Sequence, residues 1–213
     1  MSGKYYFDLV VCFECGNDML ARAPMLREQT KKFIRAAAIS VEAASSGEEE
    51  LEARVKFVGY GGRSYTDTVE SDFVDALEEW DFAESFLASV AFSGLCGNPA
   101  AALKQAIASP WVEDRTTRRR QVVLFVGRGD EVSTYAINAD IEAELAELYP
   151  VWEGSVKLEG ASFDYKRARL ISLSDGIYPW RSMLEWNRFV QIKELPHRAS
   201  DELAEAMAMA ALY

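Results

Sequence analysis

Two segments of this chain, Leu9–Phe13 (Leu-Val-Val-Cys-Phe) and Val122–Val126 (Val-Val-Leu-Phe-Val), are apolar at every position. Side chains alternate across a strand, so an apolar residue at each position leaves neither face for water. Strands of this kind belong in the middle of a sheet whose two faces are both covered, which in practice means a mostly parallel sheet flanked by helices.

The rest of the chain supplies the covering helices and the outer strands. The first strand is predicted over Tyr6–Phe13. A helix over Pro24–Ala44 buries Leu26, Thr30, Phe33, Ile34, Ala37 and Val41, with Pro24 in its first turn. Ser45–Glu50 reads as a polar loop. Ala53–Tyr60 alternates as a strand, Gly61-Gly62 as a turn, and Ser64–Val69 as an antiparallel edge strand rich in Thr and Tyr. Residues 82–92 read as a helix with Phe82, Phe86, Leu87 and Val90 on one face. An Ala-rich helix spans 99–108, and its small residues permit close packing on the sheet. Gln121–Val126 is the second central strand. Asp140–Leu148 is an amphipathic helix and Ala168–Leu173 a further strand. A short helix is expected around Arg181–Trp186, a short strand at Phe189–Ile192 and a closing helix over Asp201–Leu212, its inner face formed by Leu203, Met207 and Ala210–Ala211. The fold class is therefore α/β, doubly wound, with a mostly parallel central sheet and one antiparallel edge strand. No repeat or long linker divides the chain, so residues 1–213 are expected to form one domain.

Charge and special residues exclude several functions. The formal net charge is −11, which argues against a general binder of nucleic-acid backbones. The one basic cluster, Arg118-Arg119-Arg120, precedes a strand and reads as a solvated loop. No apolar run reaches the roughly 20 residues needed to span a bilayer. The first residues lack the pattern of a signal peptide, so a cytoplasmic location is expected. Three cysteines do not make a disulfide framework. Cys12 and Cys15 are an odd number apart along a strand and would face opposite ways, which disfavours a redox or zinc role for Cys12-Phe-Glu-Cys15. The one histidine, His197, falls in a surface loop, leaving no material for a histidine-based triad. Tyr178, Trp180 and Trp186 follow a strand and read as packing residues rather than an exposed aromatic surface.

The polar loop Glu14–Asp18 follows the first central strand directly. Asp8-Leu-Val-Val-Cys-Phe-Glu-Cys-Gly-Asn-Asp-Met19 resembles the Asp-Leu-Val-apolar-x-Ile-Asp-x-Thr-Gly-Ser-Met of bacterial cytoplasmic von Willebrand factor A (vWA) domains found in stress-response and conflict gene clusters. Further segments resemble the same family in order. They are Val55–Gly62, Val69–Phe73, Gly94–Ala102, Arg119–Gly129 and Ala168–Trp180, the last ending in Tyr-Pro-Trp. The resemblance implies a vWA/Rossmann-like fold and a role in binding other proteins through the loops after the strands. It also implies a cation site, the metal-ion-dependent adhesion site (MIDAS), whose pattern this chain departs from. Glu14 stands for its first Asp, Gly16 for the first hydroxyl and Asp18 for the second. Gly97 stands for the Asp or Thr of the second loop, and Arg128 or Gly127 for the last Asp.

Hard cations need oxygen ligands, and on this mapping only Glu14 and Asp18 supply them. Three arrangements are open: an internal ion pair in which Arg128 substitutes for the cation, a solvated loop, and a retained Mg²⁺ held by Glu14 and Asp18. No cofactor is expected. The expected partner-binding face comprises Glu14, Gly16, Asn17, Asp18, Cys96, Gly97, Asn98, Arg128 and Asp130. Cys15 and Cys96 both fall near it and are expected to be buried and inert. The resemblance implies a non-catalytic scaffold or regulatory subunit, with co-encoded proteins as partners and neither membrane nor nucleic acid involved. The alternative is a metal-assisted hydrolase or other enzyme using Glu14 and Asp18 for acid–base work.

Overall fold

The structure, a computed structural model, describes residues 4–44, 50–64, 66–76, 78–94, 97–112, 118–128, 135–156, 166–173, 178, 180–195 and 202–212. The strands are β1 (Lys4–Glu14), β2 (Glu50–Tyr60), β3 (Thr68–Glu70), β4 (Val74–Asp75), β5 (Arg118–Gly127), β6 (Arg167–Ser172) and β7 (Phe189–Glu194). The helices are α1 (Ala23–Ala44), α2 (Trp80–Ser89), α3 (Pro99–Ile107), α4 (Tyr135–Val156) and α5 (Glu202–Leu212).

Both all-apolar runs lie in the centre of the sheet, whose order is β3-β2-β1-β5-β6-β7. β2, β1, β5, β6 and β7 run parallel. β3 and β4 both pair antiparallel with β2 and lie end to end along its outer edge. Between them the Ser71 hydroxyl accepts the Phe57 N–H at 3.0 Å, keeping that edge satisfied where the ladder breaks. Alternate residues of β1 and β5 feed two cores. Leu9, Val11, Phe13, Val122, Leu124 and Val126 pack beneath α1, α2 and α5, with Leu26, Phe33, Leu87, Leu203 and Met207. Val10, Cys12, Val123 and Phe125 face α3 and α4, against Leu103, Ile141, Leu145 and Trp152. Cys12 and Cys15 do lie in opposite cores.

α3 starts as its sequence requires. Asn98 caps it by accepting the Ala100 N–H at 2.8 Å, and Pro99 occupies the first turn, where a missing N–H costs nothing. Its inner face is Ala100, Ala102, Leu103 and Ala106, and the small residues bring the helix close to the sheet.

Several sequence expectations need correction. Arg118–Arg120 are not a solvated loop but the first residues of β5. Arg119 is only 2% exposed, and its guanidinium donates to the Val112 carbonyl at 3.0 Å. A long side chain can bury its stem and still find an acceptor, which a charge count does not register. Phe82 is 53% exposed rather than part of the inner face of α2, which Ala83 and Leu87 form. α4 continues past Leu148 through Pro150, because Trp152 is buried on its far end and donates its indole N–H to the Asn187 carbonyl at 2.9 Å. The edge strand begins at Thr68; ahead of it the Asp67 N–H donates to the Ser64 carbonyl at 3.1 Å and the Asp67 carboxylate accepts the Ser64 N–H at 2.8 Å. The short helix near Arg181 is a 3-10 turn over Met183–Glu185. Trp180 and Trp186 are buried, in line with packing roles. His197 and the 174–177 stretch lie outside the described residues. No helix among the described residues is long and apolar enough to cross a membrane.

Within β1, Asp8 is buried and meets Arg54 of β2 in a two-point pair, 2.8 and 2.7 Å, while also accepting the Val112 N–H at 3.0 Å. Removing one partner of such a pair strands the other charge without compensation. Arg54→Ala is expected to destabilise the fold by about 3 kcal/mol in urea unfolding, since it leaves the Asp8 carboxylate buried. A loss within the range of an exposed ion pair, under about 1 kcal/mol, would contradict this account of the site.

Candidate functional site

The strand order reverses direction between β1 and β5: the chain moves outward from β1 to β2 on one side, then returns to β5 on the other. Open α/β sheets form a crevice at the carboxyl ends of the strands at such a point. Glu14, the last residue of β1, stands there, with Arg128 immediately after β5.

Glu14 is 4% exposed. Its carboxylate accepts the Arg128 N–H at 2.9 Å and a second peptide N–H from Gly97. Burial is the largest influence and raises its pKa. The two N–H groups and the Arg128 charge pull the other way, and the Asp18 charge adds to the rise. The Arg128 guanidinium meets Asp18 at 2.9 Å, with side chains 20% and 56% exposed respectively. Arg128 therefore serves both acids by different means: its backbone holds Glu14, and its side chain holds Asp18. Of the three arrangements open at the outset, the ion pair is present only between Arg128 and Asp18, and the guanidinium does not grip Glu14 with a two-point fork.

The glycines permit these approaches. A Cβ on Gly97 would lie 2.5 Å from the Tyr60 carbonyl oxygen, and one on Gly127 would meet the Tyr60 hydroxyl and lie 3.3 Å from the Glu14 carboxylate. Tyr60, at the end of β2 and in register with Glu14, is a site residue that the sequence reading missed. Its hydroxyl is buried without a hydrogen-bond partner among the described residues. Burial first, and then the Glu14 charge, push its pKa well up. Its ring meets Trp180 edge-on, and the Trp180 indole N–H reaches the Arg128 carbonyl at 3.4 Å. The alternating pattern of β2 marks Tyr60 as a strand residue but carries no sign of what stands beside its end.

The remaining expected residues separate into two groups. Asn17 and Asp18 are exposed, at the start of a 3-10 turn over Asn17–Arg22, and the Asn17 N–H donates to the Gly94 carbonyl at 3.1 Å. Gly16, Gly97 and Asn98 are buried. Asn98 spends its side chain on capping α3 and on Glu144, to which its amide donates at 2.7 Å, so it shapes the crevice from beneath. Cys96 and Asp130 lie outside the described residues. Cys15 is buried and its thiol contacts the Tyr60 and Gly61 carbonyls at 3.4 and 3.3 Å. Burial, then the Glu14 charge, push its pKa up to about 11, which leaves it protonated and a poor nucleophile at neutral pH. Burial also raises the Cys12 thiol.

These residues do not fit a hard divalent cation. Gly16 and Gly97 bring no side-chain oxygen, the Glu14 carboxylate is committed to peptide N–H groups, and Asp18 is held by a guanidinium. Among the described residues no group of three or more His, Cys, Asp or Glu is placed to hold a metal ion.

No protein-family model matches this sequence, and neither does any curated protein. Solved structures do. The pilus adhesin SpaC from Lactobacillus rhamnosus GG, in its open conformation, matches at a TM-score of 0.62 with 13% identity, over 99% of this chain and 30% of the adhesin. A von Willebrand factor type A structure from Catenulispora acidiphila gives 0.60 at 14% identity, over 99% and 42%. The SpRpn10 VWA domain gives 0.56 at 9% identity, over 93% and 92%. This chain thus spans less than half of the first two proteins. The likeness shows a vWA fold, as the sequence resemblance implied.

The rise in the Glu14 pKa has a consequence for stability. When the folded state favours the neutral acid, the stabilisation is complete below the unfolded-state pKa and is lost as pH rises through the folded one. Glu14→Gln keeps an oxygen for both N–H groups without the charge. Its stability relative to the native chain is expected to increase from about pH 4 to about pH 8 in thermal melts. A flat or falling difference would show that the Glu14 charge is compensated.

Proposed function

We propose that this chain is a non-catalytic protein-interaction module, a scaffold or regulatory subunit of a cytoplasmic bacterial stress or defence system, with co-encoded proteins as partners. Its binding face is the crevice: Asn17, Asp18 and Arg128, with Cys96 and Asp130, present the surface, and the buried Glu14, Gly16, Gly97 and Asn98 shape it from beneath. The adhesion site is degenerate and works without metal, the tethered guanidinium of Arg128 supplying the positive charge. The observation that carries this reading is the Arg128–Asp18 pair at 2.9 Å, beside the buried Glu14 at the switch point. The vWA-fold neighbours, an adhesin and an Rpn10 domain among them, support an interaction role at the level of fold. The hydrolase alternative is weaker. Asp18 is engaged by Arg128, and Cys15, which follows Glu14 in the chain, is buried with its thiol pKa pushed up to about 11.

Asn17 and Leu20 are exposed beside Asp18 and make a test that leaves the ion pair alone. With a partner purified from the neighbouring genes, Asn17→Arg with Leu20→Glu is expected to weaken binding at least tenfold, roughly, at unchanged melting temperature. Undiminished binding by the double variant would move the interface elsewhere.

A further inference from the structure

On the α4 side of the sheet a surface cavity of about 470 Å³ lies between α4 and the 3-10 turn Met183–Glu185. Its lining includes Leu145, Tyr149 and Trp186, with the carboxylates of Glu142 and Glu185. Tyr149 is 42% exposed and packs on Trp186 with ring centroids 5.4 Å apart. Trp186 is itself buried against Phe189, so the aromatic pair is fixed from behind.

On the α4 wall the charge is one-sided. α4 reads Tyr-Ala-Ile-Asn-Ala-Asp-Ile-Glu-Ala-Glu-Leu-Ala-Glu-Leu-Tyr-Pro-Val-Trp-Glu-Gly-Ser-Val and contains no lysine or arginine. Of its acids, Glu144 is engaged by Asn98. The side-chain carboxylates of Glu142 and Glu185, by contrast, have no hydrogen-bond or ion-pair partner among the described residues. Two uncompensated carboxylates beside an exposed aromatic face form the chemical complement of a long cation. The rings attract positive charge through their faces, the apolar walls accept a methylene stem, and the acids pair with the head group.

We propose that this cavity is a second docking site, one that receives an arginine or lysine side chain from a basic segment of a partner protein. Its volume accommodates the side chain together with adjoining backbone. The net charge of −11 draws such a segment in from a distance, and the Tyr149–Trp186 pair selects where it settles. The site is built from α4 and the turn before β7, apart from the Glu14 crevice, and does not depend on the reading of that crevice.

The test uses the full chain and a fluorescein-labelled nonapeptide of alternating glycine and arginine, followed by anisotropy at low salt. Tyr149→Leu keeps the apolar area and removes the ring, and is expected to weaken binding roughly fivefold. Glu142→Gln with Glu185→Gln is expected to weaken it roughly tenfold. Glu78→Gln with Glu205→Gln changes the net charge equally on the opposite side of the sheet, and stays within about twofold. The same peptide carrying citrulline in place of arginine is expected not to bind. Glu142, Glu185, Glu78 and Glu205 are all exposed, and unchanged melting curves confirm intact folding. Equal losses in the two double variants, or none with Tyr149→Leu, would reduce the attraction to overall charge and overturn the proposal. So would concentration-dependent dimerisation abolished by Glu142→Gln with Glu185→Gln, which would make a second copy of the chain the occupant.

Discussion

The arrangement at the switch point depends on keeping one carboxylate, Glu14, out of water. A buried acid must be hydrogen-bonded or neutralised, and Glu14 sits at the end of a central strand where little solvent reaches it. The strand order answers that need. Because β5 pairs directly with β1, the peptide following β5 arrives beside Glu14, and its N–H points at the carboxylate. The α3 entry loop brings the Gly97 N–H from the other side. Both approaches require glycine, at positions 97 and 127, since a Cβ at either would strike Tyr60. The Asn98 cap then follows, because the chain must turn into α3 directly after the second N–H has been delivered.

Seen this way, Arg128 is less an isolated substitution than part of the same solution. Its backbone satisfies Glu14, its charge offsets the acid through space, and its side chain reaches out to Asp18 at the surface. A pair with one partner more than half exposed contributes little stability. Its consequence is geometric: it places a fixed cation and an accessible acid side by side on the rim. Under the proposed function, that polar rim is what a partner would meet.

The parts of this fold legible in the sequence were those written in strong periodicity. Leu9–Phe13 and Val122–Val126 read as central strands, α1 announced itself through Pro24 and its apolar stripe, and α3 through its run of alanines. Where one residue type serves two environments, the reading failed. Arg119 looked like loop because it is charged, yet its guanidinium is buried and donates to a carbonyl inside the protein. Phe82 looked like core because it is aromatic, yet Ala83 takes the inner position. Pro150 stood where the helical pattern weakened, and the buried Trp152 carries α4 through it. At the site, Glu14, Asp18 and Arg128 were visible as candidates from one resemblance. Their division of labour, and the presence of Tyr60, were not, because they arise from register between strands far apart in sequence.

The central claim is that a guanidinium stands where this fold can hold a cation. Calorimetric titration of Mg²⁺ and Mn²⁺ into the native chain, Glu14→Ala and Arg128→Asp tests it most directly. The account predicts no binding by the native chain or Glu14→Ala, and a gain of Mn²⁺ binding in Arg128→Asp, where a carboxylate replaces the positive charge beside Asp18. Stoichiometric binding by the native chain that disappears in Glu14→Ala would contradict it, and would make the site a working metal centre.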